Sequence, residues 1–175
     1  MTKWLLITLS IGMACAGCDS RGDGAKSQSA PPQGWKKVAA LPGSGRLPAV
    51  TAALPSGMSE TDESGIENPL KSFKGAGLFV RFDYGVLAHP GCKTSSCQIY
   101  SVKIGGRDAQ ASLSIQPANE DGFTTVHDYF VPIVQDLHNS STSMAGSGLH
   151  ITVRCAEKPR CADADQIVQT IRFGQ

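Results

Sequence analysis

The sequence predicts an α+β fold: a mostly antiparallel sheet with one C-terminal helix packed on it, in a single domain over residues 34–175. Three observations carry this. Apolar and polar residues alternate in several runs, a Gly-Gly pair separates two of those runs, and the apolar period lengthens only near the C-terminus. Period-two alternation marks strands with one buried face, and a period near 3.6 marks an amphipathic helix. Strands followed by a helix, without repeated β-α alternation, place the chain in the segregated class.

The elements follow in order. "LPAVTAALP" (47–55) is a short apolar run closed by prolines. "LFVRFDYG" (78–85) sets Leu78, Val80, Phe82 and Tyr84 on one face and Phe79, Arg81 and Asp83 on the other. Just before it, Gly75 and Gly77 in "KSFKGAGLF" predict a hairpin turn. "QIYSVKI" (98–104) and "AQASLSI" (109–115) form the clearest hairpin, joined by "GGRD", with Ala109, Ala111, Leu113 and Ile115 expected to face inward. "PANEDG" (117–122) reads as a turn, "FTTVHDYFVPIV" as a strand, "QDLHNSSTSMAGSG" (135–148) as a polar loop and "LHITVRC" (149–155) as another strand. At the end, Asp163 is placed to cap a helix with Gln166 reciprocating. Ala164, Ile167, Val168 and Ile171 then make one apolar stripe, and "TIRF" returns as an edge strand.

The first residues differ in kind. Lys3 precedes fourteen uncharged, mostly apolar residues, Trp4 to Gly17. That run is shorter than the roughly twenty residues a spanning helix needs, but it has the form of a signal peptide over residues 1–17. Cleavage at the small residues of "ACA" (14–16) would leave Cys18 and four later cysteines, an odd number for an oxidising compartment. The alternative uses "CAGC" (15–18), which resembles the lipobox of bacterial lipoproteins. Ala16 and Gly17 match the small residues expected before the modified cysteine, while Cys15 departs from the aliphatic residue usual three places upstream. The resemblance implies that Cys18 receives a diacylglyceryl thioether, that the chain is cut before it, and that its amine is acylated. It also leaves four cysteines that can pair. At about 0.8 kcal/mol per buried methylene, three acyl chains anchor a protein durably.

Residues 18–33 then serve as a tether: "DSRGDGAKSQSAPPQ" contains no large apolar side chain to offset ordering entropy. Random-coil scaling gives it a reach of roughly 20 Å. The "RGD" at Arg21–Asp23 is three residues in a loose tail and is read as chance. Asp19 resembles the inner-membrane retention signal of some enterobacterial lipoproteins, which tips the expected location slightly toward the inner membrane, with the outer membrane open. Sixteen basic residues stand against fifteen acidic ones, and removing Lys3 with the leader balances them. No Lys/Arg block supplies the basic footprint that nucleic-acid binding requires, so nucleic acid is not an expected partner. The expected membrane contact is the lipid anchor, beside an envelope protein or small ligand of unspecified kind.

Further resemblances lie in the domain. "GIENPLKSFKGAGLFVRFDYG" (65–85), "VKIGGRDAQ" (102–110) and "ADQIVQTIRF" (164–173) resemble landmarks of small exported bacterial proteins, and the closing helix and Ile-Arg-Phe strand are similar to those of PsbP-like domains. The likeness covers about a third of the domain and implies a binding or accessory scaffold, with no site residues to carry across.

The candidate chemistry is sparse. "CKTSSC" (92–97) and "CAEKPRC" (155–161) place four and five residues between cysteines, wider than most zinc-ribbon pairs and without CxxC. Disulfides are expected over a metal or redox centre. Of three connectivities, Cys92–Cys97 with Cys155–Cys161 is the expected one, each contributing roughly 2 kcal/mol, with crossed pairing left open by spacing alone. His127, Asp128 and His138 offer metal-ligating groups, but adjacent strand residues point to opposite faces, so neither metal nor cofactor is expected. Asp83, His89 and Ser95 or Ser96 are the raw material for a small hydrolase, yet no GxSxG or SxxK frames a nucleophile. "GSGR" (43–46) and "GAG" (75–77) lack the Lys-Ser/Thr of a phosphate loop and read as turns. Tyr84, His89, Tyr100, His127 and Tyr129 are the residues suited to an exposed interaction patch, against the plainer reading that they pack on strand faces. The function expected is a non-enzymatic binding or envelope-accessory module on a lipid anchor, with the Asp83–Ser96 hydrolase as alternative.

Overall fold

In a computed structural model, residues 30–45, 47–62, 69–85, 92, 96–135, 146–156 and 158–174 are described. Ten strands and one helix occur in the order β1 (Lys36–Leu41), β2 (Val50–Leu54), β3 (Ser59–Thr61), β4 (Leu70–Gly75), β5 (Leu78–Gly85), β6 (Gln98–Ile104), β7 (Arg107–Ile115), β8 (Thr125–Gln135), β9 (Gly146–Cys155), α1 (Lys158–Gln169) and β10 (Arg172–Phe173). This is the mostly antiparallel sheet with a C-terminal helix that the sequence predicts. Seven strands form the larger sheet in the order β3-β4-β5-β9-β8-β7-β6, and β1-β2-β10 form a smaller one.

The β4–β5 and β6–β7 hairpins form where glycine permits a tight turn. Gly105 and Gly106 both take positive φ, 57° and 83°, as a two-residue turn between twisted strands requires. Strand β5 alternates without a fault, with Leu78, Val80, Phe82 and Tyr84 all buried. Its neighbour β9 lies between β5 and β8, pairing Val80 with Val153 and Phe82 with Ile151. Strand β8 tolerates Pro132 because the β8–β9 register shifts between Pro132 and Val134, where a ladder donor is dispensable.

One face of the large sheet is covered by α1 and the small sheet. Leu78, Val80, Phe82, Leu149, Ile151 and Val153 meet Val50, Leu54, Ile167 and Ile171 there in one core. Thr170 ties the helix end to β2: its hydroxyl accepts from the Ala53 N–H at 2.8 Å and donates to the Ile167 carbonyl at 2.7 Å.

Three expectations are corrected. The helix begins at Lys158 rather than at Asp163, so Asp163 lies inside it and pairs with Arg160 at 3.6 Å instead of capping. The reason is local: proline is well placed in a first helical turn, and the Cys155–Cys161 disulfide ties that turn to the end of β9. Ile115, expected to face inward, is 61% exposed at the end of β7, beyond the reach of the covering layer. At the ends of the loop expected over 135–148, Gln135 belongs to β8 and Gly146–Gly148 to β9; residues 136–145 lie outside the described residues. The "TIRF" strand does form, as an edge of the small sheet.

Candidate functional site

The two middle strands, β8 and β9, carry polar clusters on their opposite faces. Alternation dictates this: His127 and Tyr129 share a face with Val153 and Ile151, whereas Asp128 opposes Thr152 on the other side. His127 and Asp128 therefore do not converge on a shared ligand, as the sequence predicts.

On the face away from the helix, His150 sits between two carboxylates. Its Nδ1 lies 3.7 Å from Asp83 and its Nε2 3.5 Å from Asp128. These separations are ion-pair contacts, longer than hydrogen bonds. Asp83 also pairs with the Arg81 guanidinium at 3.1 Å, and the Thr152 hydroxyl donates to Asp128 at 2.7 Å. Burial pulls the imidazole toward neutrality, but Asp128 and Asp83 outweigh it and hold the pKa at about 9. For Asp128, burial favours the neutral acid, yet His150, Thr152 and Arg154 together keep it below the usual carboxylate range. The result is an imidazolium locked between two anions across β5, β9 and β8. Both ring nitrogens are protonated, so the group offers fixed charge and hydrogen-bond donors rather than a base.

The helix-facing side holds the second cluster. The Tyr129 hydroxyl donates to Asp165 of α1 at 3.1 Å and contacts His127 Nδ1 at 3.3 Å, and it shares a side-chain hydrogen bond with Tyr100. A phenol has one proton. Because a carboxylate only accepts, that proton belongs to the Asp165 bond, and His127 must supply Nδ1–H to the Tyr129 oxygen. Burial lowers the His127 pKa against the pull of Asp165 and Asp128, and burial likewise raises that of Tyr129. Tyr100, at the rim and 37% exposed, is raised first by burial and then by Asp165.

Of the five residues expected in one exposed patch, the four described ones do not form it. Tyr84 is in the core, pushed up to about 12 by burial, with its hydroxyl donating to the Pro48 carbonyl. Tyr129 and His127 are also buried. Alternation shows which residues share a face; only the tertiary structure shows that the helix and small sheet cover this one. Tyr100, His127 and Tyr129 do come together, with His127 and Tyr129 buried and Tyr100 at the exposed rim. His89 lies outside the described residues.

Of the hydrolase set, Asp83 and Ser96 are the described members, and they lie apart. Asp83 is on β5, whereas the Ser96 hydroxyl donates to the Ile115 carbonyl at the β6–β7 edge, at 3.1 Å. Three strands separate β5 from β6, roughly 19 Å of sheet at about 4.8 Å per step. Ser95, His89 and His138 lie outside the described residues, as do Cys15 and Cys18. Both cysteine pairs form disulfides in the expected local connectivity, Cys92–Cys97 and Cys155–Cys161.

Sequence reasoning missed His150 and Asp165. His150 was visible only as an outward residue of "LHITVRC", and its partners come from strands 67 and 22 positions upstream. No local spacing signals such a contact. Scans of family models, curated proteins and solved structures return no match to this chain.

Proposed function

We propose that this chain is a membrane-anchored bacterial lipoprotein, held through acylated Cys18, whose periplasmic α+β domain acts as a non-enzymatic binding or envelope-accessory module. The observation that supports it best is the pairing of the four later cysteines with one another. Disulfides persist in oxidising compartments. With those four accounted for, Cys18 is the cysteine left over once the leader is cut before it, at the position the lipobox resemblance marks. Asp19 inclines the location toward the inner membrane. The Arg81–Asp83–His150–Asp128 array favours recognition over turnover, because two cations already balance its two carboxylates. Among the described residues, no helix is long and apolar enough to cross a membrane.

Metabolic labelling with a clickable fatty acid tests the anchor. The native chain is expected in the membrane fraction carrying label, and Cys18→Ala unlabelled and released. A labelled Cys18→Ala chain refutes the assignment. Ester or peptide hydrolysis by the purified domain, abolished by Asp83→Asn, would overturn the non-enzymatic reading.

A further inference from the structure

The helix-side cluster contains more than the tyrosine network explains. A ring nitrogen of His127 and the sulfurs of Cys155 and Cys161 all lie within 4.8 Å of one another. His127 is 6% exposed, and its buried Nε2 has no hydrogen-bond partner among the described residues. The hydrogen-bond logic above places the proton on Nδ1, leaving Nε2 with a bare lone pair. An uncompensated polar atom in such a place costs about 1–3 kcal/mol, so its retention asks for a second state in which it is used.

We propose that reduction of the Cys155–Cys161 disulfide turns this cluster into a binding site for Cu(I), with Cys155 Sγ, Cys161 Sγ and His127 Nε2 as ligands. A dithiol donor delivers two electrons and two protons, becoming a disulfide while the protein pair becomes two thiols. Cu(I) then displaces both thiol protons to solvent and binds two thiolates and one imidazole. A disulfide acceptor reoxidises the pair: it takes the two electrons and two protons from solvent to become a dithiol, the protein sulfurs bond to each other, and Cu(I) is released unchanged in oxidation state, so the disulfide is the off state.

Four features fit this chemistry. Metal–sulfur bonds of about 2.3 Å and metal–nitrogen bonds near 2.0 Å, values typical of zinc, put ligand atoms roughly 3.5–4 Å apart; a His127 ring nitrogen already lies within 4.8 Å of both sulfurs, and the sulfurs, bonded to each other in the disulfide, must move apart when it is reduced. Thiolate and imidazole donors suit soft cations. Zinc in structural sites takes four ligands, while the described residues bring three together here, a number Cu(I) accepts. Finally, the Nδ1–H bond to Tyr129, itself fixed by Asp165, is the outer support that metal-bound histidines use to set tautomer and ring orientation. Cys161 is partly exposed in the first turn of α1, giving reductant and cation an approach, while Cys155 is fully buried. The site does not depend on the lipid anchor.

The test uses the chain with Cys92→Ser and Cys97→Ser, which removes the second cysteine pair as a competing thiol source. Under anaerobic conditions, Cu(I) is titrated against a chromophoric Cu(I) chelator before and after reduction. The reduced form is expected to take one Cu(I) per chain and the oxidised form none. Absorption-edge spectroscopy should report two sulfurs and one nitrogen. His127→Gln should lose the nitrogen and at least tenfold in affinity, and Tyr129→Phe should weaken binding about tenfold through the lost outer support. If reduction alone loosens the fold, Cu(I) should still raise the unfolding temperature of the reduced parent, and by more than it raises that of His127→Gln. Equal binding by the oxidised form, unchanged affinity in His127→Gln, or no binding after reduction each overturns the proposal.

Discussion

His150 and His127 sit on adjacent strands of the same sheet, and their surroundings drive them in opposite directions. His150 faces Asp83 and Asp128 and is held charged, with a pKa of about 9. His127 is held neutral by burial. The folded pKa of His150 lies above the unfolded value near 6.5, so its contribution is complete below pH 6.5 and is lost as pH rises through 9. Its size is on the order of 2 kcal/mol after allowance for partial solvent screening. The lowered pKa of His127 has the reverse sign: in the oxidised protein its contribution is complete above pH 6.5 and is lost as pH falls. Asp128 adds to the acid side, present above about 3.8 and lost below it. Thermal unfolding across pH should therefore show greatest stability near pH 6.5. His150→Gln should flatten the alkaline limb and weaken the Asp128 part of the acid limb, because His150 is one of the groups that lower that carboxyl, while leaving the His127 part in place. An alkaline limb unchanged in that variant would show that the two carboxylates do not hold the imidazolium.

At the level of elements, turns and edges decide what local sequence reaches. The β4–β5 and β6–β7 hairpins were legible because glycine and alternation agree about where each strand stops. The two turns differ in what surrounds them. A Cβ at Gly75 would stand 2.2 Å from the Gly57 carbonyl oxygen, and its φ of 150° is already unfavourable for a side chain. At Gly106 nothing lies within 4 Å and only the positive φ of 83° resists substitution. Urea unfolding should thus find Gly75→Ala costing about 2 kcal/mol or more, and Gly106→Ala about 1 kcal/mol. Equal costs would mean that strand β4 does not approach the β2–β3 connection so closely. The helix shows the complementary case. Its buried stripe of Ala164, Ile167 and Val168, continued by Ile171 just past the helix end, was readable from spacing, while its start was not. A capping pattern at Asp163 competed with a first turn pinned by a disulfide, and the covalent tie prevailed.

Across the whole molecule, α1 is the piece that joins the two sheets. It packs on β9 of the large sheet and β2 of the small one, and β10 beyond it completes the small sheet. Ile167 lies fully buried at that junction. Ile167→Ala should cost about 2–5 kcal/mol in equilibrium unfolding, as for other large-to-small changes in packed cores. A loss well under 1 kcal/mol would show the helix to be peripheral. The same layer explains why the tyrosine and histidine side chains of β5 and β8 are buried: α1 and the small sheet lie over the face they share with Leu78 and Ile151.

By itself the sequence determined the strands, the two hairpins, the helical stripe and the short spans of the cysteine pairs, because each depends on residues near one another in the chain. It also supplied the apolar run ending in "CAGC" on which the expected anchor rests. Only the tertiary structure decided which sheet face is covered, where Tyr84 and Tyr129 point, and which groups meet. His150 reaches Asp83 and Asp128, and His127 reaches Cys155 and Cys161, by strand pairing and helix docking across tens of residues. Contacts of that range are set by burial of a shared core, and no local pattern encodes them.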